Sequence, residues 1–366
     1  MKMIIEYVLA DLIGNVFHIR TKPRVLQLPV TSKCNSKCLT CNVWKHLDKT
    51  DIDPQALAKS LEDPYFSKLK TIGLNGGEIC LYRDYEALFD TILKVKSLQS
   101  IHIISNGLYT KRLLEILCYA KARCAKQNIL LGFTISIDGV YGCHDTVRGI
   151  KGAYEKTINS FRNIWEHKDI YCDYLEIGCT ISKYNVGQLA AIEAELAQYS
   201  VPILYHLAVP NKRIHTFNNS DYSVLNDDRS RILAAEFFFG RFIFASTKLE
   251  RFRSLANYYY LIHKGCGRLA SCDWLRRDVT IDEKMNFCLC ATASDVIANL
   301  TQTNVSSLLK TGEIKKMENE IETLCNSCIH YNSLPSFKGL FIFLYYYLME
   351  TYTWKYKFKF KAKWYR

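Results

Sequence analysis

Between residues 25 and 210, short β-branched runs alternate with helical stretches, and that alternation constrains the fold more than any single residue does. It is the pattern of repeated β-α units building a parallel sheet. It predicts six strands, at 25–29, 71–74, 101–105, 129–137, 175–181 and 203–209. The crossover helices fall at 54–61, 85–95, 112–126, 153–165 and 189–199, and the first is signalled by Asp53 at its N-cap and Pro54 at its first turn. Six parallel strands with right-handed crossovers curl toward an open barrel, and such folds gather chemistry at the carboxyl ends of their strands.

Composition narrows the class further. The 366 residues are long enough for a large core with a smaller unit attached. Fifteen cysteines with no cleavable signal pattern at the start predict a cytoplasmic chain, whose thiols are metal ligands or buried small side chains rather than disulfide partners. The net charge is +12, and residues 351–366 supply six of those charges with no acid among them. Without a basic patch elsewhere, this is a property of the tail, and no nucleic-acid partner is expected.

The strand ends carry the polar clusters. Cys34-x3-Cys38-x2-Cys41 follows the first strand, Asn75-Gly76-Gly77-Glu78 the second, Ser105-Asn106-Gly107 the third, and Asp138-Gly139 the fourth. All four then share one rim. Soft thiolates suit an iron–sulfur cluster or zinc, and three protein ligands on a four-iron cluster leave one iron open to substrate. Zinc completed by His46 is the rival reading.

Cys34-x3-Cys38-x2-Cys41 resembles the signature of the radical S-adenosylmethionine (radical SAM) superfamily, and the later clusters match that family's motifs in order. The resemblance implies a partial (β/α)6 TIM-like barrel with a smaller cysteine-rich C-terminal domain. It implies a 4Fe-4S cluster on Cys34, Cys38 and Cys41, with SAM bound at the open iron and cleaved by one electron from an external reductant such as flavodoxin or ferredoxin. Gly76, Gly77 and Glu78 resemble the segment that holds the SAM amino group. Ser105 and Asn106 resemble the loop lining the site, Ser136 and Asp138 the segment at the ribose, and Arg148 the arginine that reaches the SAM carboxylate. Thr180 to Asn185 resembles the strand end beside the adenine. Thr40 stands where the family has an aromatic residue, with Trp44 as a substitute, and Ile79 stands where a proline is usual.

Behind the barrel, Cys272, Cys290, Cys325 and Cys328 resemble the ligand set of a SPASM/twitch-type auxiliary domain. They imply a second 4Fe-4S cluster, with a structural zinc as the alternative and Cys288 as the near alternative to Cys290. The predicted organisation is an N-terminal helical segment (1–24), the core barrel (25–210), a linking helical region (211–265), the auxiliary domain (266–335) and an aromatic basic tail (336–366). On the substrate side, His206, Lys212 and Arg213 are candidates for the barrel mouth. The expected reaction is oxidation or epimerisation of a small or carrier-linked molecule such as a sugar. A peptide side chain is the alternative substrate, and a non-enzymatic electron-transfer or interaction protein the alternative class. Twelve aromatics interleaved with lysines over residues 341–366 predict peripheral contact with the inner face of a membrane.

Overall fold

The computed structural model describes residues 19–218, 220–330 and 334–352, with side chains in the last stretch through 349. Most of the N-terminal helical segment predicted at 1–24, and the basic tail from 353 onward, lie outside the described residues.

The six strands form where expected: β1 (Val25–Pro29), β2 (Thr71–Asn75), β3 (Ser100–Ser105), β4 (Leu130–Ser136), β5 (Tyr174–Ile181) and β6 (Ile203–Leu207). They pair in sequence order and all in parallel. Alternate residues such as Leu26, Leu28, Ile72, Leu74, Ile101 and Ile103 are wholly buried beneath the helices. The intervening positions face the barrel interior, which is unusually polar: Gln27, Asn75, His102, Thr134, Glu176 and His206. The crossovers are α1 (Pro54–Leu61), α2 (Tyr85–Ile92), α3 (Thr110–Ala125), α4 (Gly142–Arg148), α5 (Ala153–Glu166) and α6 (Leu189–Leu196). Asp53 caps α1 by accepting from the Gln55 N–H at 2.9 Å.

The sheet does not close. Beyond β1 it continues with β7 (Val279–Ile281), β8 (Asn286–Cys288) and β9 (Ala298–Asn299), giving nine strands in the order β6-β5-β4-β3-β2-β1-β7-β8-β9. β7 runs parallel to β1, and Asp278 fixes that edge by accepting from the N–H groups of Arg24 and Val25 at 3.1 and 3.0 Å. The boundary expected at 266 is therefore no break: Val279, Ile281, Phe287 and Ile321 belong to the same apolar core as the barrel.

The linking helical region expected over 211–265 holds two helices, α7 (Asp228–Phe244) and α8 (Lys248–Ile262). Thr247 interrupts it by capping α8, accepting from the Glu250 N–H at 3.2 Å while its hydroxyl donates to the Glu250 carboxylate at 3.1 Å. That capping box was present in the sequence as Thr247-Lys248-Leu249-Glu250. After α9 (Glu313–Cys325), α10 (Phe337–Tyr352) returns to α7 and α8. There Phe242, Phe252, Leu255, Leu269 and Phe343 form a small second core that composition alone did not suggest.

Candidate active site

The loop 31–41 leaves the carboxyl end of β1 and is clamped from two sides by backbone hydrogen bonds. On one side, the N–H groups of Gly77 and Glu78 donate to the carbonyls of Thr31 (2.6 Å) and Lys33 (2.8 Å). A Cβ on Gly77 would stand 2.0 Å from the Lys33 carbonyl oxygen, so only glycine allows this approach. On the other side, Lys37 and Leu39 donate to the carbonyls of Arg148 and Val147 at the end of α4, both at 2.9 Å. The Gly-Gly turn thus serves close packing against the cysteine loop.

Within the loop, Cys38 lies near enough to both Cys34 and Cys41 to raise their proton affinity. Burial pushes the Cys34 thiol up to about 12, and it raises Cys41 as well, with neighbouring thiols adding to both. Ser36, which the motif reading passed over, serves two of them. Its N–H donates to Cys34 Sγ at 3.4 Å, and its hydroxyl lies 3.2 Å from Cys38 Sγ. Arg148 Nη1 donates to Cys38 Sγ at 3.7 Å. The Trp44 indole N–H reaches the Cys38 carbonyl at 3.4 Å, which seats this ring against the loop.

One cavity of about 320 Å³ is lined by Cys34, Cys38 and Cys41, by Gly76, Gly77 and Glu78, by Ser105 and Asn106, and by Ser136, Asp138 and Arg148. The four rim clusters do share one site. Several of their side chains also hold the loops to one another. The buried Glu78 carboxylate accepts from Ser105 Oγ at 2.7 Å, from the Asn106 N–H at 2.9 Å and from the Cys80 N–H at 3.2 Å, tying the second loop to the third. Asp138 accepts from the Thr180 N–H at 2.7 Å and pairs with Arg148 at 2.8 Å. Burial alone would lower the Arg148 proton affinity, but Asp138 and the thiols more than offset it, so the guanidinium is held charged. Its Nε is buried with no partner and lies at the cavity wall.

The other wall is formed by His206 on β6, by Arg213 and by His330. Both imidazoles open into the cavity while protein surrounds them, and this burial lowers their proton affinity, His330 to about 4. Arg213 and Ala291 also line a neighbouring cavity of about 730 Å³, which reaches Cys288 and Cys290. The loop carrying Arg213 is held there by Lys212 and Arg213 N–H bonds to the carbonyls of Thr292 (2.9 Å) and Ala291 (3.2 Å). Lys212 is paired with Asp295 at 2.7 Å, so of the two candidate cations Arg213 is the one that lines both cavities and, among the described residues, has no ion-pair partner. Four buried polar atoms without partners line the larger cavity: His46 Nε2, Arg213 Nε, Thr280 Oγ1 and Glu283 Oε2.

The second cysteine group assembles from three places. Cys272 follows the 266–271 segment, Cys290 follows β8, Cys325 ends α9 and Cys328 lies in the next turn. Burial raises the thiols of Cys272, Cys325 and Cys328, with Cys290 adding to all three, whereas Cys288, raised by burial and Asp282, has only Cys290 of the four among its main neighbours. Cys266 is exposed and touches Tyr260 electrostatically rather than the four. Arg268, unremarked in the sequence, clamps the group together by donating to the carbonyls of Ala270 (2.7 Å), Cys328 (2.8 Å) and Ser271 (3.0 Å). Cys290 Sγ accepts from the Ala293 N–H at 3.3 Å. All fifteen cysteines are free thiols. Among the described residues, no three His, Cys, Asp or Glu side chains stand close enough to hold a single metal ion. A four-iron cluster places each thiolate on its own iron.

Residues 28–169 match the family model of the radical SAM superfamily. The Fe-coproporphyrin III synthase of Methanosarcina barkeri is 25% identical over 194 residues, 51% of this chain and 45% of that protein. The chain thus spans less than half of that relative's length. The solved structure of native anSMEcpe with bound AdoMet and Cp18Cys peptide has a similar fold, with a TM-score of 0.56 and 14% identity, covering 81% of this chain and 82% of that one. Streptococcus suis SuiB bound to S-adenosylmethionine follows at a TM-score of 0.51 and 12% identity, covering 77% and 65%. The family model falls on the strands that build the three-cysteine cavity, so over residues 28–169 the chain is similar to the radical SAM superfamily.

Proposed function

We propose that Cys34, Cys38 and Cys41 hold the SAM-binding 4Fe-4S cluster, that Cys272, Cys290, Cys325 and Cys328 hold a second one, and that substrate binds between them. The observation carrying this reading is the pair of adjoining cavities, one walled by Cys34, Cys38 and Cys41 and the other reaching Cys290 of the second group, with Arg213 common to both. Cluster and SAM, when bound, supply a 5′-deoxyadenosyl radical able to take a hydrogen atom from a nearby C–H bond. The chain's own residues do the rest. Ser36 and Arg148 donate hydrogen bonds toward the first group's sulfurs, and Arg268 holds the second group's loops in register. His206, kept neutral by its surroundings and open to the cavity, is the group we assign to accept a substrate proton.

The unpartnered guanidinium of Arg213, with Thr280 and Glu283 beyond it, favours a polar substrate bearing a carboxylate or phosphate. A second cluster ligated by four thiolates has no position for substrate, so its use is to take away an electron, which fits oxidation of a small or carrier-linked hydroxylated molecule better than epimerisation. A peptide substrate is the second reading, motivated by anSMEcpe and SuiB, both solved with peptides bound. An external one-electron reductant and peripheral membrane contact through the basic aromatic tail complete the proposal, which is set in the cytoplasm. Anaerobic reconstitution tests it: about eight irons per chain, and SAM-dependent 5′-deoxyadenosine formation under dithionite, are expected. Uptake of zinc alone, with no cleavage of SAM, overturns it.

A further inference from the structure

The helix α10 is apolar on both sides, and among the described residues only one side is covered by protein. Its inner face sets Phe343 against Phe242 and Phe252 of the second core, with ring centroids 6.2 and 5.9 Å apart. Gly339 lies so close to the Leu269 carbonyl oxygen that an added Cβ would stand 1.9 Å from it. Ser336 holds the same carbonyl through its N–H (2.9 Å) and its hydroxyl (2.7 Å), so the helix is seated firmly.

The outer face carries Phe337, Leu340, Phe341, Leu344 and Tyr345, which are 81, 44, 60, 46 and 61% exposed. At 100° per residue they span an arc of about 140° pointing away from the second core. A rigidly docked helix that turns five large apolar side chains to solvent is more than the scattered surface hydrophobes of an ordinary monomer.

The chemistry of the adjoining sequence says what covers this face. Residues 353–366 contain Lys355, Lys357, Lys359, Lys361, Lys363 and Arg366, with aromatic residues between most of them and no acid. Cations alternating with Trp, Tyr and Phe match the headgroup region of an anionic bilayer, while they would repel a second copy of the same tail. Among the described residues, no helix is long and apolar enough to cross a membrane. We infer that α10 lies in the plane of an anionic membrane, its Phe337–Leu340–Phe341–Leu344–Tyr345 face inserted below the headgroups and the basic tail paired with lipid phosphates. This rests on the peripheral-contact reading above and names the surface that performs it. The docking segment 269–271 leads directly to Cys272, so the helix attaches beside the second cysteine group.

The test is flotation of the reconstituted holoprotein with vesicles of phosphatidylcholine alone or with 30% phosphatidylglycerol, for wild type, Phe341→Asp/Leu344→Asp, and a variant truncated after 352. Wild type is expected to float with the anionic vesicles and not the neutral ones. The double variant should reduce bound protein at least tenfold, and truncation should remove the salt-sensitive part of binding, each with 5′-deoxyadenosine formation unchanged as the fold control. If the double variant floats like wild type while truncation abolishes binding, the tail binds lipid without the helix and the inference fails while the contact reading survives. If nothing floats, both fail. Sedimentation completes the set: a wild-type dimer that the double variant converts to monomer assigns the face to a second copy and overturns the membrane assignment.

Discussion

Substituting Gly77→Ala probes the clamp on the cysteine loop without touching any thiol. The new methyl would start 2.0 Å from the Lys33 carbonyl oxygen, 2.6 Å from its carbon and 3.2 Å from the Cys34 nitrogen. Ordinary contact begins near 3.4 Å, so the Lys33–Cys34 peptide or the Gly77 turn must retreat by more than an ångström. Both are held by backbone bonds, including the 2.8 Å bond from the Glu78 N–H to the Lys33 carbonyl, and cannot move alone. Overpacking of this kind costs about 1–3 kcal/mol, and a shift of about 1 Å at a reacting centre can cost on the order of 100-fold in rate. The expected result is a lower urea midpoint, loss of iron from the first group and a drop of about two orders of magnitude in 5′-deoxyadenosine formation. Gly73→Ala is the control. It lies on β2, the strand that leads into this turn, where a Cβ meets nothing within 4 Å, and should leave all three measurements near wild type. Full iron content and wild-type SAM cleavage in the Gly77 variant would refute the claim that this close approach positions Cys34.

Four further outcomes follow from named contacts. Cys38→Ala should abolish 5′-deoxyadenosine formation while circular dichroism stays native, and retained cleavage would contradict the ligand assignment. Cys290→Ala should remove about half the iron and Cys288→Ala almost none, since Cys290, unlike Cys288, acts on the other three thiols; reversed iron contents would exchange their roles. Asp138→Asn leaves the buried Arg148 guanidinium uncompensated and should cost about 3–5 kcal/mol in urea denaturation, with a change below about 1 kcal/mol showing that the 2.8 Å pair contributes little. Burial lowers His102 to about 4, so between about pH 6.5 and 4 the unfolded chain binds a proton that the folded one does not. That stability is present in full above about pH 6.5 and is lost as pH falls toward 4. His102→Gln should therefore remove about 1 kcal/mol of the destabilisation between pH 7.5 and 5.5, and an unchanged slope would show that His102 is not its source.

The barrel was legible because its signals are local. Each strand is a short apolar run, and Asp53-Pro54 sets the first crossover within two residues. The cysteine loop was legible for the same reason, with three thiols inside eight residues directly after a strand. The side-chain duties were less so. Motif position alone marked Glu78, Asp138 and Arg148 as residues lining the site, but not their bonds within the protein, from Ser105 to Glu78, from Thr180 to Asp138 and between Asp138 and Arg148, which are set by strand register rather than by spacing. The break between α7 and α8 was written in Thr247 and Glu250 and passed over because the apolar pattern runs through it.

Sequence by itself determined which residues become strands, helices and thiol clusters, because hydrophobic period, capping and ligand spacing act over a few residues. Only the tertiary structure decided that β7 extends the barrel sheet beside β1, that Arg213 faces both cavities, that Arg268 ties Cys272 to Cys328, and that α10 turns one apolar face outward. Those are contacts between segments tens to hundreds of residues apart, and they are chosen by packing and backbone pairing that no local pattern encodes.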